Sequence, residues 1–207
     1  MTLARRGDVV SIAVRGIDLM ASNNHASEDQ LGRMAGELVT GIANARLLIG
    51  GLGLGYTLRA ALDAVPADAA VDVAEIVPEV VRWNQSVLAP LANRPLEDPR
   101  VTVIRDDVLE VMRRGAGRYH AILLDVDNGP EGLSRGNQTL YRKAGLEAAR
   151  DALAIDGVLA VWSAFNSGAF TASLADTGFD VSVATIETTT TTARGPVHFI
   201  WYARRRA

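Results

Sequence analysis

Leu47-Leu48-Ile49-Gly50-Gly51-Leu52-Gly53-Leu54-Gly55 is the stretch on which the reading of this 207-residue chain turns. An apolar run that breaks into alternating glycines predicts a buried strand turning sharply into a helix. Glycine suits that turn because a Cβ would keep a ligand away from the backbone. Glu75 follows Gly55 by twenty residues and closes the next apolar run, Val71-Asp72-Val73-Ala74. An acidic side chain at the end of a second strand accepts hydrogen bonds from a ribose diol. Gly51, Gly53, Gly55 and Glu75 together point to a nucleoside-containing cofactor. The spacing is G-x-G-x-G, and Tyr56 stands where the dinucleotide fingerprint G-x-G-x-x-G has its last glycine. The loop therefore fits S-adenosylmethionine (SAM) better than NAD.

Outward from this loop the pattern alternates. β-Rich runs at Arg46–Ile49, Val71–Glu75, Val101–Arg105, Ala121–Asp125 and Val158–Trp162 are separated by helical patterns. These cover Thr57–Ala64, Glu79–Leu88, Leu109–Arg114 and Leu140–Leu153, and Gly168–Thr177 follows the fifth strand. Pro78 suits the first turn of the second of these helices, and Gly157 reads as a helix-to-strand turn. This order predicts a parallel sheet covered on both faces. Phe179–Glu187 and Val197–Ala203 are β-rich with no helix between them. The threonine run Thr188–Thr192 favours extended backbone and reads as part of a long hairpin or its loop. An antiparallel hairpin closing a mostly parallel seven-stranded sheet, with helices on both faces, is the Rossmann-like α/β fold of class I methyltransferases. An NAD-binding domain would continue β-α-β. Residues 1–26 read as a short β-hairpin extension (Val9–Val14 and Ile17–Met20), and residues 27–207 as the SAM-binding domain. Ser27–Gly41 opens that domain as a helix, with Ser27 as N-cap and Gln30 at the capping-box position.

Composition narrows the function. The net charge of −3 gives no basic surface for nucleic acid, and Arg204-Arg205-Arg206 reads as a solvated run. With no cysteine, disulfides, thiolate metal sites and a cysteine nucleophile are excluded. His25, His120 and His198 lack metal-ligand spacing, so no metal is expected. No apolar run reaches membrane-spanning length and no signal-peptide core is present, so no membrane partner is expected, and the class suggests the cytoplasm.

Four segments, in order, make residues 19–165 resemble the spermidine synthase (polyamine aminopropyltransferase) family. Gly50–Arg59 is similar to that family's glycine loop and following Leu-Arg, and Val73-Ala74-Glu75-Ile76 to its acidic strand end. Asp98-Pro99-Arg100-Val101 with Asp106-Asp107-Val108-Leu109-Glu110 is similar to its third strand and adenine contact. Asp125–Leu133, followed by Leu140-Tyr141, is similar to its catalytic Asp-x-x-Asp-Pro-x-Gly-Pro loop and downstream helix. The resemblance implies that Glu75 holds the ribose hydroxyls, and that Asp107 accepts from the adenine amino group beside a Val108 backbone contact. It implies that Asp125 faces the sulfonium and helps deprotonate an attacking amine, with Asp127 as a second carboxylate. His25, in His25-Ala26-Ser27-Glu28, takes the place of a cofactor-contacting glutamine. A homodimer is also implied. Each residue has a structural alternative: Asp125 and Asp127 as strand-end and turn caps, Asp106-Asp107 as a helix N-cap, His25 as a structural hydrogen-bonding residue.

The departures from that family fall on one half of the site. Leu54 stands where the family has the aspartate that holds the donor's amine. Leu31–Gly36 and Thr188–Pro196 lack the family's polyamine-contacting segments, and Asn128 replaces the proline after Asp127. The nucleoside half is retained and the polyamine half is altered. The reading is a sulfonium-dependent transferase using SAM or decarboxylated SAM, with methyl transfer to a small-molecule acceptor placed ahead of aminopropyl transfer to a diamine. A non-catalytic nucleoside-binding protein is the further alternative. Arg59 and Arg33 are the candidates for meeting a carboxylate. Trp162 ends the fifth strand near the expected acceptor space.

Overall fold

The computed structural model describes residues 1–14, 16–126, 129–130, 137–190 and 193–206. The chain opens with β1 (Thr2–Arg6), β2 (Val9–Val14) and β3 (Ile17–Ala21), which form a small antiparallel sheet. The expected hairpin is β2–β3. Strand β1 joins it, pairing from Thr2 opposite Ala13 to Arg6 opposite Val9. Its sequence, Thr-Leu-Ala-Arg-Arg, has no apolar alternation to announce a strand; the pairing comes from the neighbouring β2. Helix α1 (Ala26–Leu38) follows. Its N-cap is His25 rather than Ser27, which lies buried in the first turn and donates its hydroxyl to Glu28 Oε2 at 2.5 Å.

The alternating segment comprises β4 (Arg46–Gly50), α2 (Tyr56–Ala64), β5 (Ala70–Ala74), α3 (Pro78–Asn84), β6 (Val101–Ile104) and α4 (Val108–Arg113). It continues through β7 (Tyr119–Leu124), α5 (Lys143–Ala152), β8 (Leu153–Ser163), α6 (Gly168–Asp176), β9 (Phe179–Thr190) and β10 (Ala193–Arg205). The sheet order is β6-β5-β4-β7-β8-β10-β9. All pairings are parallel except those of β10, which runs antiparallel to both β8 and β9. This is the predicted seven-stranded methyltransferase-like sheet with its closing hairpin. Consecutive strands leave β4 on one side and β7 on the other, so a crevice opens beyond the carboxyl ends of these two strands.

Two boundaries differ from expectation. Strand β8 begins at Leu153, not Val158, because the chain crosses from α5 directly into the sheet. The extra residues are taken up between the Tyr119–Leu153 and Ala121–Val158 pairs, where Asp156 adopts a left-handed φ of 63°. Extended structure also runs through the threonines to Thr190, consistent with their β-branching.

Each face of the sheet has its own core. Leu31 and Ala35 of α1, Leu58 of α2 and Val80 and Val81 of α3 cover one face, packing with Ile49, Leu123 and Trp162. Val108 and Leu109 of α4, Leu146 of α5 and Phe170 of α6 cover the other, with Ile122, Val161 and Trp201. A third cluster joins Ile12 of the small sheet to Leu54 and Leu88. Full burial of each Val, Leu, Ile or Phe side chain among these contributes roughly 1.5–3 kcal/mol. Among the described residues no helix is long and apolar enough to cross a membrane.

Candidate functional site

The glycine loop leaves β4 with Gly51, Gly53 and Gly55 at φ of 88°, 51° and 88°, all in the left-handed region where a side chain is strained. Protein neighbours also press on it. A Cβ at Gly51 would collide with the Asp125 carbonyl, and one at Gly53 would come 2.9 Å from the Met20 sulfur of β3. The glycines are therefore required by backbone conformation and by close approach of β7 and the small sheet. The sequence-based reason, room for a ligand, is not needed to explain them. Leu54 points away from any polar role: it is buried against Ile12 and Leu88, where it ties the small sheet to the domain.

Glu75 sits just past β5 and is buried. Its Oε2 accepts the Leu52 N–H at 3.0 Å, and its Oε1 accepts the Val77 N–H at 2.8 Å. Burial raises its pKa, while these backbone donors act in the opposite direction. The Gly53 and Ile76 N–H groups also act on this carboxylate, which is thus surrounded by backbone donors. Beside it Ile76 is 64% exposed, a large apolar side chain at the sheet's carboxyl edge that sequence reasoning passed over. Asp107 caps α4, its Oδ1 accepting the Leu109 N–H at 2.9 Å, so the capping alternative is realised there. Val108 is buried with a methyl 2.9 Å from where a Cβ on Gly50 would lie, which brings the start of α4 against the end of β4.

Asp125 continues the β7 ladder by donating its N–H to Gly50 O at 2.9 Å. Its half-buried carboxylate accepts the Thr57 hydroxyl at 2.5 Å. Thr57 lies in the first turn of α2, immediately after the glycine loop. Burial, then the negative charge of Glu28, push the Asp125 pKa up to about 7; the Thr57 hydrogen bond opposes them. Val126, next in the chain, accepts the Tyr141 hydroxyl on its carbonyl at 2.8 Å. Asp127 lies outside the described residues.

His25 is brought to the same end of the sheet. Its ring stacks on Tyr56 at 3.8 Å and 7°, and its Nδ1 pairs with Asp29 Oδ2 at 2.9 Å. Tyr56 occupies the position that is glycine in a dinucleotide fingerprint, and here it forms the platform for His25. Burial, followed by the charges of Asp29 and Glu28, raises the Tyr56 pKa. Glu28 thus acts on both Tyr56 and Asp125, and it was not singled out from sequence. Its only signal was its place in the His25-Ala26-Ser27-Glu28 segment. Arg59 is bound to Asp63 at 2.5 Å and lies within electrostatic reach of Asp98, while Arg33 is exposed on α1.

No protein-family model matches the chain. Its backbone superposes on the spermidine synthase of Thermotoga maritima with a TM-score of 0.74 at 20% identity, covering 95% of this chain and 65% of that one. Its fold is spermidine synthase-like. A spermidine synthase solved with the transition state analogue AdoDATO superposes with a TM-score of 0.74 at 18% identity, over 99% of this chain and 72% of that one. A precorrin-6y C5,15-methyltransferase from Geobacter metallireducens, at 0.61 and 14% identity over 84% of this chain and 87% of that one, has the related methyltransferase sheet. In sequence, a polyamine aminopropyltransferase from Corynebacterium efficiens is 37% identical over 87 residues, which make up 41% of this chain but 16% of that protein. The spermidine synthase-like fold thus extends over nearly the whole chain, whereas detectable sequence identity is confined to less than half of it.

Proposed function

We propose that this chain binds decarboxylated SAM in the crevice beyond β4 and β7 and transfers its aminopropyl group to a small amine. This reverses the order drawn from sequence, in which methyl transfer from intact SAM came first. Two observations support the reversal. Glu28 lies within electrostatic reach of Asp125, and Glu28 and Asp29 both act on Tyr56; this negative charge favours a cation and opposes the carboxylate of intact SAM. The cations suggested for that carboxylate are engaged or remote: Arg59 by Asp63, Arg33 on the exposed side of α1. The similarity to a polyamine aminopropyltransferase and to spermidine synthases supports the same order.

In this reading Glu75, held at the end of β5 by the Leu52 and Val77 N–H groups, accepts from the ribose hydroxyls. Ile76 lies against a face of the base, and Asp107 and Val108 line its edge. His25, stacked on Tyr56, flanks the donor. The donor, once bound, supplies a carbon activated by a sulfonium leaving group. The acceptor nitrogen forms a bond to that carbon as the C–S bond breaks, and the electron pair passes to sulfur, releasing methylthioadenosine. Asp125 takes the proton that the nitrogen sheds. The observation that carries the proposal is the Thr57–Asp125 pair, a carboxylate held at a pKa of about 7 and therefore suited to accept a proton near neutral pH. The test is turnover of decarboxylated SAM with amine acceptors, followed by methylthioadenosine release, beside SAM with S-adenosylhomocysteine release. Release of S-adenosylhomocysteine alone restores methyl transfer. Binding of methylthioadenosine with neither product formed favours a nucleoside-binding protein.

A further inference from the structure

Two buried ring nitrogens at the carboxyl end of β8 have no partner among the described residues: Trp162 Nε1 and His198 Nδ1. Both residues are 9% exposed, and their rings lie 5.1 Å apart at 38°. They belong to the same face as Asp125. Leu124 pairs with Val161 and Trp162 with Ile200, so Trp162 stands beside Asp125 across the sheet. Leu123, Ala160, Trp162 and Ile200 share one core cluster, and strand alternation puts Asp125 and His198 on that face as well. Helix α1 packs over β7 and β8, and the charge of its Glu28 reaches both Asp125 and His198. This face of the sheet therefore carries two carboxylates, Asp125 and Glu28, beside two buried ring nitrogens, those of Trp162 and His198.

An indole N–H only donates, so whatever meets Trp162 must offer an acceptor atom. A charged oxygen is opposed by Glu28 and Asp125. A hydroxyl suits both nitrogens, accepting from Trp162 Nε1–H and donating to Nδ1 of a neutral His198. The distal nitrogen of a diamine is an ammonium group at neutral pH, with no lone pair, so it leaves the buried Trp162 N–H unpaired, and a buried donor without a partner weakens binding. We infer that the acceptor is a small primary amine bearing a hydroxyl group, its nitrogen toward Asp125 and its oxygen between Trp162 and His198. This inference rests on the amine-transfer reading above and specifies its substrate class.

The test uses the full chain and two probes of matched length, 4-amino-1-butanol and 1,4-diaminobutane. Each is titrated by calorimetry and by ¹H–¹⁵N spectra of the indole groups, with and without methylthioadenosine. The expected result is at least roughly tenfold tighter binding of the amino alcohol, with the Trp162 indole resonance shifting. Trp162→Phe, which keeps an aromatic ring and removes the N–H, should bring the two affinities together while leaving methylthioadenosine binding intact. Equal affinities in the unmodified chain, no binding of the amino alcohol, or a preference unchanged in Trp162→Phe each overturn the inference. If the variant does not fold, the comparison in the unmodified chain decides. Methylthioadenosine binding reports separately on the functional reading. Its absence alongside a retained amino alcohol preference sinks that reading but not the subsite.

Discussion

Asp125 makes the folded chain sensitive to pH in a way that one substitution isolates. Its carboxyl ionises near pH 7 in the folded state and near the ordinary value of 3.8 when unfolded. Between those values the folded chain holds a proton that the unfolded chain has released. Protonation therefore favours the fold, and stability falls as pH rises from about 4 through 7. One pKa unit corresponds to about 1.4 kcal/mol, so from pH 5 to 8 the full effect is about 3 kcal/mol. Part of the carboxylate faces the crevice, where solvent screens it, which reduces the expectation to about 2 kcal/mol. Asp125→Asn removes the titration and leaves the other groups in place, including Glu75, whose pKa burial also raises. Urea unfolding of both proteins at pH 5, 6, 7 and 8 gives the difference directly. The native chain should lose about 2 kcal/mol relative to the variant over that range. Parallel stability curves would refute both the raised pKa and the argument for Asp125 as a base near neutral pH. Transfer activity, in contrast, should rise with pH through about 7, because only the ionised carboxylate accepts a proton.

Three further substitutions probe the parts of the site and its support. Gly51→Ala places a Cβ at φ 88° against the Asp125 carbonyl, and should cost at least about 2 kcal/mol in denaturant unfolding. Glu75→Gln replaces one carboxylate oxygen with an NH₂ group beside the backbone donors of Leu52 and Val77. It should weaken methylthioadenosine binding by roughly tenfold or more in calorimetry. Asp72→Ala is the control: this buried carboxylate in mid-β5 holds Arg46, Arg118 and the Tyr119 hydroxyl, and its loss should cost about 3 kcal/mol of stability. Nucleoside affinity of the folded Asp72→Ala protein should be unchanged, since Asp72 lies away from the carboxyl edge.

Periodicity and punctuation make most of the architecture legible in the sequence. The seven strands of the large sheet, the closing hairpin and the positions of the glycine loop, Glu75 and Asp125 follow from local apolar patterning, because each strand's burial is written in its own few residues. Asp107 was equally visible, with capping and ligand contact both compatible with its place before α4. The three-stranded N-terminal sheet was only partly visible, since β1 depends on β2 rather than on its own composition. What tertiary packing decided was which distant side chains meet. Gly51 must be glycine because β7 presses on it; Leu54 is a packing residue because the small sheet folds over it. Glu28 reaches Asp125 from a helix almost one hundred residues earlier. Trp162 and His198 come together because β10 runs antiparallel beside β8. Local sequence encodes which face of an element is apolar; the partners of its polar groups depend on long-range register, which no local pattern contains.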